Sequence, residues 1–217
     1  MGILTIERRV ALHRRALWLE YLTVGWNVLE AVVAIAAGIL AASVALIGFG
    51  FDSAIEVISA VGLLWRLRKA GPHATVSEES EAEKRTLYVV ATTFFLLAAY
   101  IAYDAVSALS QREEPLTSPV GIVLSVLALV VMPVLAYAKH RIGRGMGSRA
   151  LVADSKETWV CSYLSLALLV GLGAYALLGW WWADPVGALA MLPIILWQGW
   201  ETLAEAREPV AAKQAPD

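Results

Sequence analysis

The sequence predicts an all-α integral membrane protein, a bundle of six transmembrane helices arranged as two inverted three-helix halves. Three observations predict it. Of 217 residues, 59% are hydrophobic and 17% charged, with a mean hydropathy of +0.65, outside the balance of a soluble globular domain. The charges are segregated, leaving six almost wholly apolar runs of about the twenty residues that a helix needs to cross a hydrocarbon core of roughly 30 Å. The second and fifth runs, finally, share a pattern of residues at equal offsets.

The expected spans are about 17–39, 43–65, 86–108, 119–138, 150–178 and 180–204, so that residues 1–217 form a single transmembrane domain. Ahead of the first span, Arg8, Arg9, Arg14 and Arg15 surround only short apolar stretches. Without an apolar stretch followed by a small-residue cut site, this arm reads as a cytoplasmic anchor and not a cleaved leader. The first span carries Glu20 near its inner end and Glu30 near the midplane, with Thr23 and Asn27 on the face of Glu30. Asp52 and Glu56 straddle the middle of the second.

The connector at about 66–85, with AGPHATVSEESEAEKR, reads as a solvated loop whose charged end extends the third helix. His73 alone there cannot gather a metal. Tyr100, Tyr103, Asp104 and Ser107 give the third span a polar face, suited to interhelical contact or an outer vestibule. The fourth ends at a basic stretch, and the fifth, long enough to project beyond the core, holds Asp154, Lys156, Glu157 and Cys161. In the sixth, Asp184 beside Pro185 fits a helix N-terminus, where a carboxylate caps free N–H groups. Eleven residues follow Ala206, too few for a folded C-terminal domain.

Basic residues set the orientation. The N-terminal arm, the connector (Arg66, Arg68, Lys69, Lys84, Arg85), the stretch after the fourth span (Lys139, Arg141, Arg144, Arg149) and the tail (Arg207, Lys213) hold fifteen between them; the opposite side holds Arg112. By the positive-inside rule both termini are expected in the cytoplasm, with the chain in the cell (inner) membrane. Trp18, Trp65, Trp197 and Trp200 mark inner ends, and Trp180, Trp181 and Trp182 an outer one. A net charge of −2 and the lack of any basic groove exclude a nucleic-acid partner. Cys161 is the one cysteine, so no intramolecular disulfide forms.

Aligning Ser43 with Ser148 also aligns Ala45 with Ala150, Leu46 with Leu151, Asp52 with Glu157 and Glu56 with Cys161. The second span runs from outside to inside and the fifth from inside to outside, so the halves are inverted repeats, an arrangement that places transporter sites at the midplane.

Acidic groups in a bilayer core cost about 2.5–3.5 kcal/mol each on insertion scales and mark function by default. Asp52 and Glu56, four apart, share one helix face, while Asp154, Glu157 and Cys161 form an i, i+3, i+7 stripe on another. Opposing these faces gathers carboxylates and a sulfur, and four ligands are what a tetrahedral zinc-like ion takes. The rival reading has the acids protonated and hydrogen-bonded, or paired with Lys156; one lysine cannot neutralise Asp52, Glu56, Glu157 and Glu30. Cys161 is a ligand or a small packing residue. Glu30 is a proton carrier, an accessory ligand or a helix–helix hydrogen bond.

At these residues the chain resembles the cation diffusion facilitator (cation efflux) family. The segments ASVALIGFGFDSAIEVISAV, SRALVADSKETWVCSYLS and WWWADPVGALAMLPIILWQGWE carry the resemblance, which extends from about residue 17 to 206. It implies export of divalent transition metals, usually against protons, from a four-ligand site on the second and fifth helices. Carried over, the pairs are Asp52 with Glu56, and Glu157 with Cys161. Zinc-transporting members typically have His and Asp where this chain has Glu157 and Cys161, which leaves the metal's identity open. The family's usual cytoplasmic C-terminal domain has no counterpart here, as in a branch related to the vertebrate vesicular zinc transporters.

The expected function is that of a secondary transporter, not an enzyme, exporting a divalent cation, Zn²⁺ first, by proton antiport. Asp52, Glu56, Glu157 and Cys161 bind the ion; Asp154 guides it from the cytoplasmic mouth, and Asp154 and Glu30 are the accessory or proton-coupling candidates. No resident cofactor is expected, and the partners are the metal ion, protons and the lipid bilayer. A homodimer is compatible with the resemblance, although the domain that commonly supports one is missing. The rivals are a passive channel or carrier and an intramembrane aspartyl enzyme using Asp52 with Asp154. Against the enzyme, His13, His73 and His140 all lie in loops or at span ends.

Overall fold

A computed structural model describes residues 6–70 and 81–207. The middle of the connector, with His73, and the tail, with Lys213, lie outside these residues. The described chain forms six helices: α1 (Ile6–Ala41), α2 (Val44–Ala70), α3 (Glu81–Gln111), α4 (Pro119–Met146), α5 (Arg149–Leu178) and α6 (Ala183–Arg207). All six contain a stretch long and apolar enough to cross a membrane, and the protein is a multi-pass integral membrane protein.

The helices pair as α1 with α2, α4 with α5 and α3 with α6; α1 also meets α4, and α2 meets α5 across the middle. Phe49, Ile101, Met132, Leu164, Leu168, Met191 and Ile195 fill the interior. Leu40, Val130 and Leu177 stand on the outside, as do Trp18, Trp65, Trp197 and Trp200 at one end and the stacked Trp180 and Trp182 at the other. Large apolar side chains outside and polar ones within is the distribution that a hydrocarbon solvent imposes, since lipid gives no reason to hide leucine. The most enclosed helix is α2.

The two halves repeat in detail. Ser43 N–H donates to the carbonyl of Gly38 at 3.0 Å, and Ser148 N–H to that of Gly143 at 2.9 Å. Each serine hydroxyl then accepts from the third residue on, Leu46 N–H at 3.1 Å and Leu151 N–H at 3.3 Å, closing the free N-terminus of its helix. Ala42 and Gly147, at φ 51° and 70°, make the same left-handed turn. A Cβ on Gly38 would meet Ile47 N at 2.9 Å, and one on Gly143 would meet Val152 N at 3.1 Å. Every one of these pairs is related by the step from Ser43 to Ser148, so the α1–α2 and α4–α5 corners are one structure used twice. They point opposite ways in the bundle.

Two expectations are made more precise and two are corrected. The helices outrun their apolar spans: α1 begins at Ile6 and α4 continues to Met146, because charged turns continue a helix beyond the apolar core. His13 and His140 therefore lie in helical turns at the ends of the expected spans, His13 buried. Lys139 is no loop residue but a fully buried side chain, whereas Lys156 is exposed and is not the counter-ion of the acidic cluster. Asp184 stands in the first turn of α6 but caps α2, accepting from Ser43 Oγ at 2.5 Å and from Val44 N–H at 2.9 Å. Serving a neighbouring helix leaves the first turn of α6 to Pro185, which has no N–H to satisfy.

Candidate metal centre

The enclosed middle of α2 faces α5. Asp52 and Glu56, one turn apart, bring their carboxylates to the sulfur of Cys161, with one ligand atom of each within 4.8 Å of the others. Asp52 and Cys161 are fully buried and Glu56 nearly so. Both oxygens of Asp52 and Oε1 of Glu56 have no hydrogen-bond partner among the described residues. Buried carboxylate oxygens without donors are costly, and a bound cation is one way to remove that cost.

The first helix backs this cluster. Asn27 Nδ2 donates to Glu56 Oε2 at 2.9 Å. One turn on, Glu30 accepts from Trp26 Nε1 at 3.2 Å and from Ser53 Oγ at 3.0 Å, so its carboxylate makes a helix–helix hydrogen bond beside the cluster. Thr23, expected on the same face, returns its hydroxyl to the carbonyl of Leu19.

The structure does not draw Glu157 into the same triad. It is half-buried and accepts from Ser59 Oγ of α2 at 3.2 Å. Cys161 lies one turn further along α5, about 6 Å along the axis, so the two residues of that pair occupy successive levels.

A second buried cluster lies nearer the end that carries the chain termini. The Lys139 ammonium is ion-paired with Asp154 and lies 3.6 Å from Glu20 Oε1 and 3.4 Å from Thr158 Oγ1. Lys139 and Glu20 are fully enclosed. This cluster joins α1, α4 and α5, and Asp154 is thereby separated from Asp52. Reading Lys139 as the first residue of a basic loop missed this cluster. Its signal was periodic: Met132, Leu135, Ala136, Lys139 and Gly143 make one buried stripe on α4. Elsewhere, Tyr100 donates to Asp104 at 3.2 Å on the outer, partly exposed side of α3, and Tyr103 is exposed. That face is not part of either cluster.

A six-helix membrane bundle that buries two carboxylates and a thiol together, with no donor among the described residues for three of the oxygens, presents a candidate intramembrane cation site. The family described as the cation efflux transmembrane domain matches residues 21–208, and the chain belongs to it. An uncharacterized transporter of Synechocystis sp. is 27% identical over 177 residues, 80% of this chain and 57% of that protein. Transmembrane protein 163 of Xenopus laevis is 24% identical over 180 residues, 80% of this chain and 63% of that protein. The chain thus spans less than two thirds of either relative.

Proposed function

We propose that the chain exports a divalent transition-metal ion, Zn²⁺ first, from the cytoplasm by exchange with protons. One observation carries this: Asp52, with both oxygens buried and without donors, lies beside Glu56 and Cys161. Membership of the cation efflux family supports a transporter over an enzyme, and over a scaffold with no use for such acids. Both termini are placed in the cytoplasm on the distribution of arginine and lysine.

Asp52, Glu56 and Cys161 hold the ion in this reading, and Glu157 joins them when its carboxylate leaves Ser59. Oxygen and sulfur together suit Zn²⁺, which accepts both. Ligation needs the deprotonated groups, so protons entering from the far side displace the metal and metal binding releases them. The matched corners at Ser43 and Ser148 let the halves exchange roles, opening the site to one side and then the other. Asp154, Lys139 and Glu20 line the approach from the inner end.

The test is flux in liposomes carrying the purified protein, with a zinc indicator and a pH dye inside. Zinc uptake with opposite proton movement is expected for wild type, and neither for Asp52→Ala. Zinc flux without proton movement would leave a passive carrier; wild-type flux in Asp52→Ala would overturn the site.

A further inference from the structure

Asn27, in the middle of α1, is fully buried, and its amide divides its two ends between different tasks. Nδ2 donates to Glu56 Oε2 at 2.9 Å, while Oδ1 is sealed from the surface and meets no donor among the described residues. An ionised carboxylate only accepts, so the nitrogen is the end that faces Glu56. The oxygen, on the same rigid amide, stays beside that carboxylate. It shares its lack of a donor with both oxygens of Asp52 and with Oε1 of Glu56. Four buried acceptors on Asn27, Asp52 and Glu56, with no N–H or O–H offered to them among the described residues, match the needs of a cation and not of another side chain.

We propose that Asn27 is a further ligand of the ion and a determinant of metal specificity, a role that rests on reading the Asp52–Glu56–Cys161 cluster as the cation site. Its Oδ1 coordinates the metal while its Nδ2–H holds Glu56 in place. A neutral oxygen raises the ligand number without raising the negative charge. It therefore widens the site from ions content with four ligands, such as Zn²⁺, to oxygen-loving ions that take five or six, such as Mn²⁺. It also makes α1 sense the ion directly, although the other four ligands, Asp52, Glu56, Glu157 and Cys161, belong to α2 and α5.

Purified protein titrated with Co²⁺, followed by visible absorption, tests this. Wild type is expected to give a thiolate-to-cobalt charge-transfer band with the weak ligand-field bands of five-coordinate Co²⁺. Asn27→Leu, of similar size, should strengthen those bands several-fold as the site becomes four-coordinate, by the geometric preferences of the metal. It should also weaken Mn²⁺ binding at least about tenfold more than Zn²⁺ binding. Asn27→Asp keeps an oxygen and should keep the wild-type band shape, which covers the case of a leucine variant that fails to fold.

A residue that only oriented Glu56 would cost about 10–100-fold in affinity for every ion alike, with unchanged ligand-field bands; that result overturns the proposal. Asp52→Ala separates the two levels. If it binds Co²⁺ with the wild-type spectrum, the ion lies elsewhere and the reading of the cluster fails, and the role of Asn27 with it.

Discussion

The ammonium of Lys139 lies 3.6 Å from the carboxylate of Glu20, both side chains wholly enclosed, with Asp154 completing the cluster. Three helices are joined by one cation and two acids. Such a cluster adds little net stability over apolar packing, but removing one partner leaves buried charge uncompensated.

Lys139→Met should therefore destabilise the protein by about 3–5 kcal/mol. Thermal unfolding in detergent should show a lowered midpoint, and adding Glu20→Gln and Asp154→Asn to it should restore most of the loss. A triple variant no better than Lys139→Met alone would show that the lysine stem, and not its charge, holds the helices.

Gly38 and Gly143 test the repeat. An added methyl would press on the backbone of Ile47 in one case and of Val152 in the other, and overpacking of this kind costs about 1–3 kcal/mol. Gly38→Ala and Gly143→Ala should lower the unfolding midpoint by similar amounts, while Gly62→Ala, where a Cβ meets nothing within 4 Å, should not. Unequal effects at Gly38 and Gly143 would mean that the two corners are not equivalent in energy.

Much of this was legible in the sequence. Hydropathy located all six helices, because the bilayer length is written as run length; it missed their ends, because polar turns extend a helix without lipid. The Asp52–Glu56 face and the register of Cys161 followed from the helical period. Lys139 was obscured by the arginines after it: charge alone says loop, and only the small and apolar residues a turn away say interior. Asp184 could be read as a cap, but which helix it serves depends on packing. Glu157 bonds to Ser59 rather than joining Cys161, a rotamer choice that residue spacing does not encode.

Metal binding should release protons, since the thiol and any carboxyl that holds a proton must lose it to bind. Affinity should fall as the pH drops from about 7.5 to about 6, because protons compete for the same atoms. Calorimetry in buffers of different ionisation enthalpy reads this directly. An apparent enthalpy independent of buffer would contradict proton exchange.

Cys161 should act on selectivity more than on affinity. A thiolate favours Zn²⁺ and Cd²⁺, and carboxylates favour Mn²⁺. Cys161→Asp should keep transport and shift the ranking towards Mn²⁺, and Cys161→Ser should weaken Cd²⁺ and Zn²⁺ transport without abolishing it. Bound metal should shield the wild-type thiol from maleimide. Equal labelling with and without saturating Zn²⁺, and an unchanged ranking in Cys161→Asp, would reduce Cys161 to a packing residue.

The most direct test of the central claim, that Asp52, Glu56 and Cys161 together hold the transported ion, is the zinc X-ray absorption spectrum of the loaded, purified protein. One sulfur at about 2.3 Å with the remaining neighbours oxygen at about 2.0–2.2 Å is the predicted shell, the sulfur vanishing in Cys161→Ser and stoichiometric zinc vanishing in Asp52→Ala. A shell of light atoms without sulfur, or full zinc occupancy in Asp52→Ala, would contradict it.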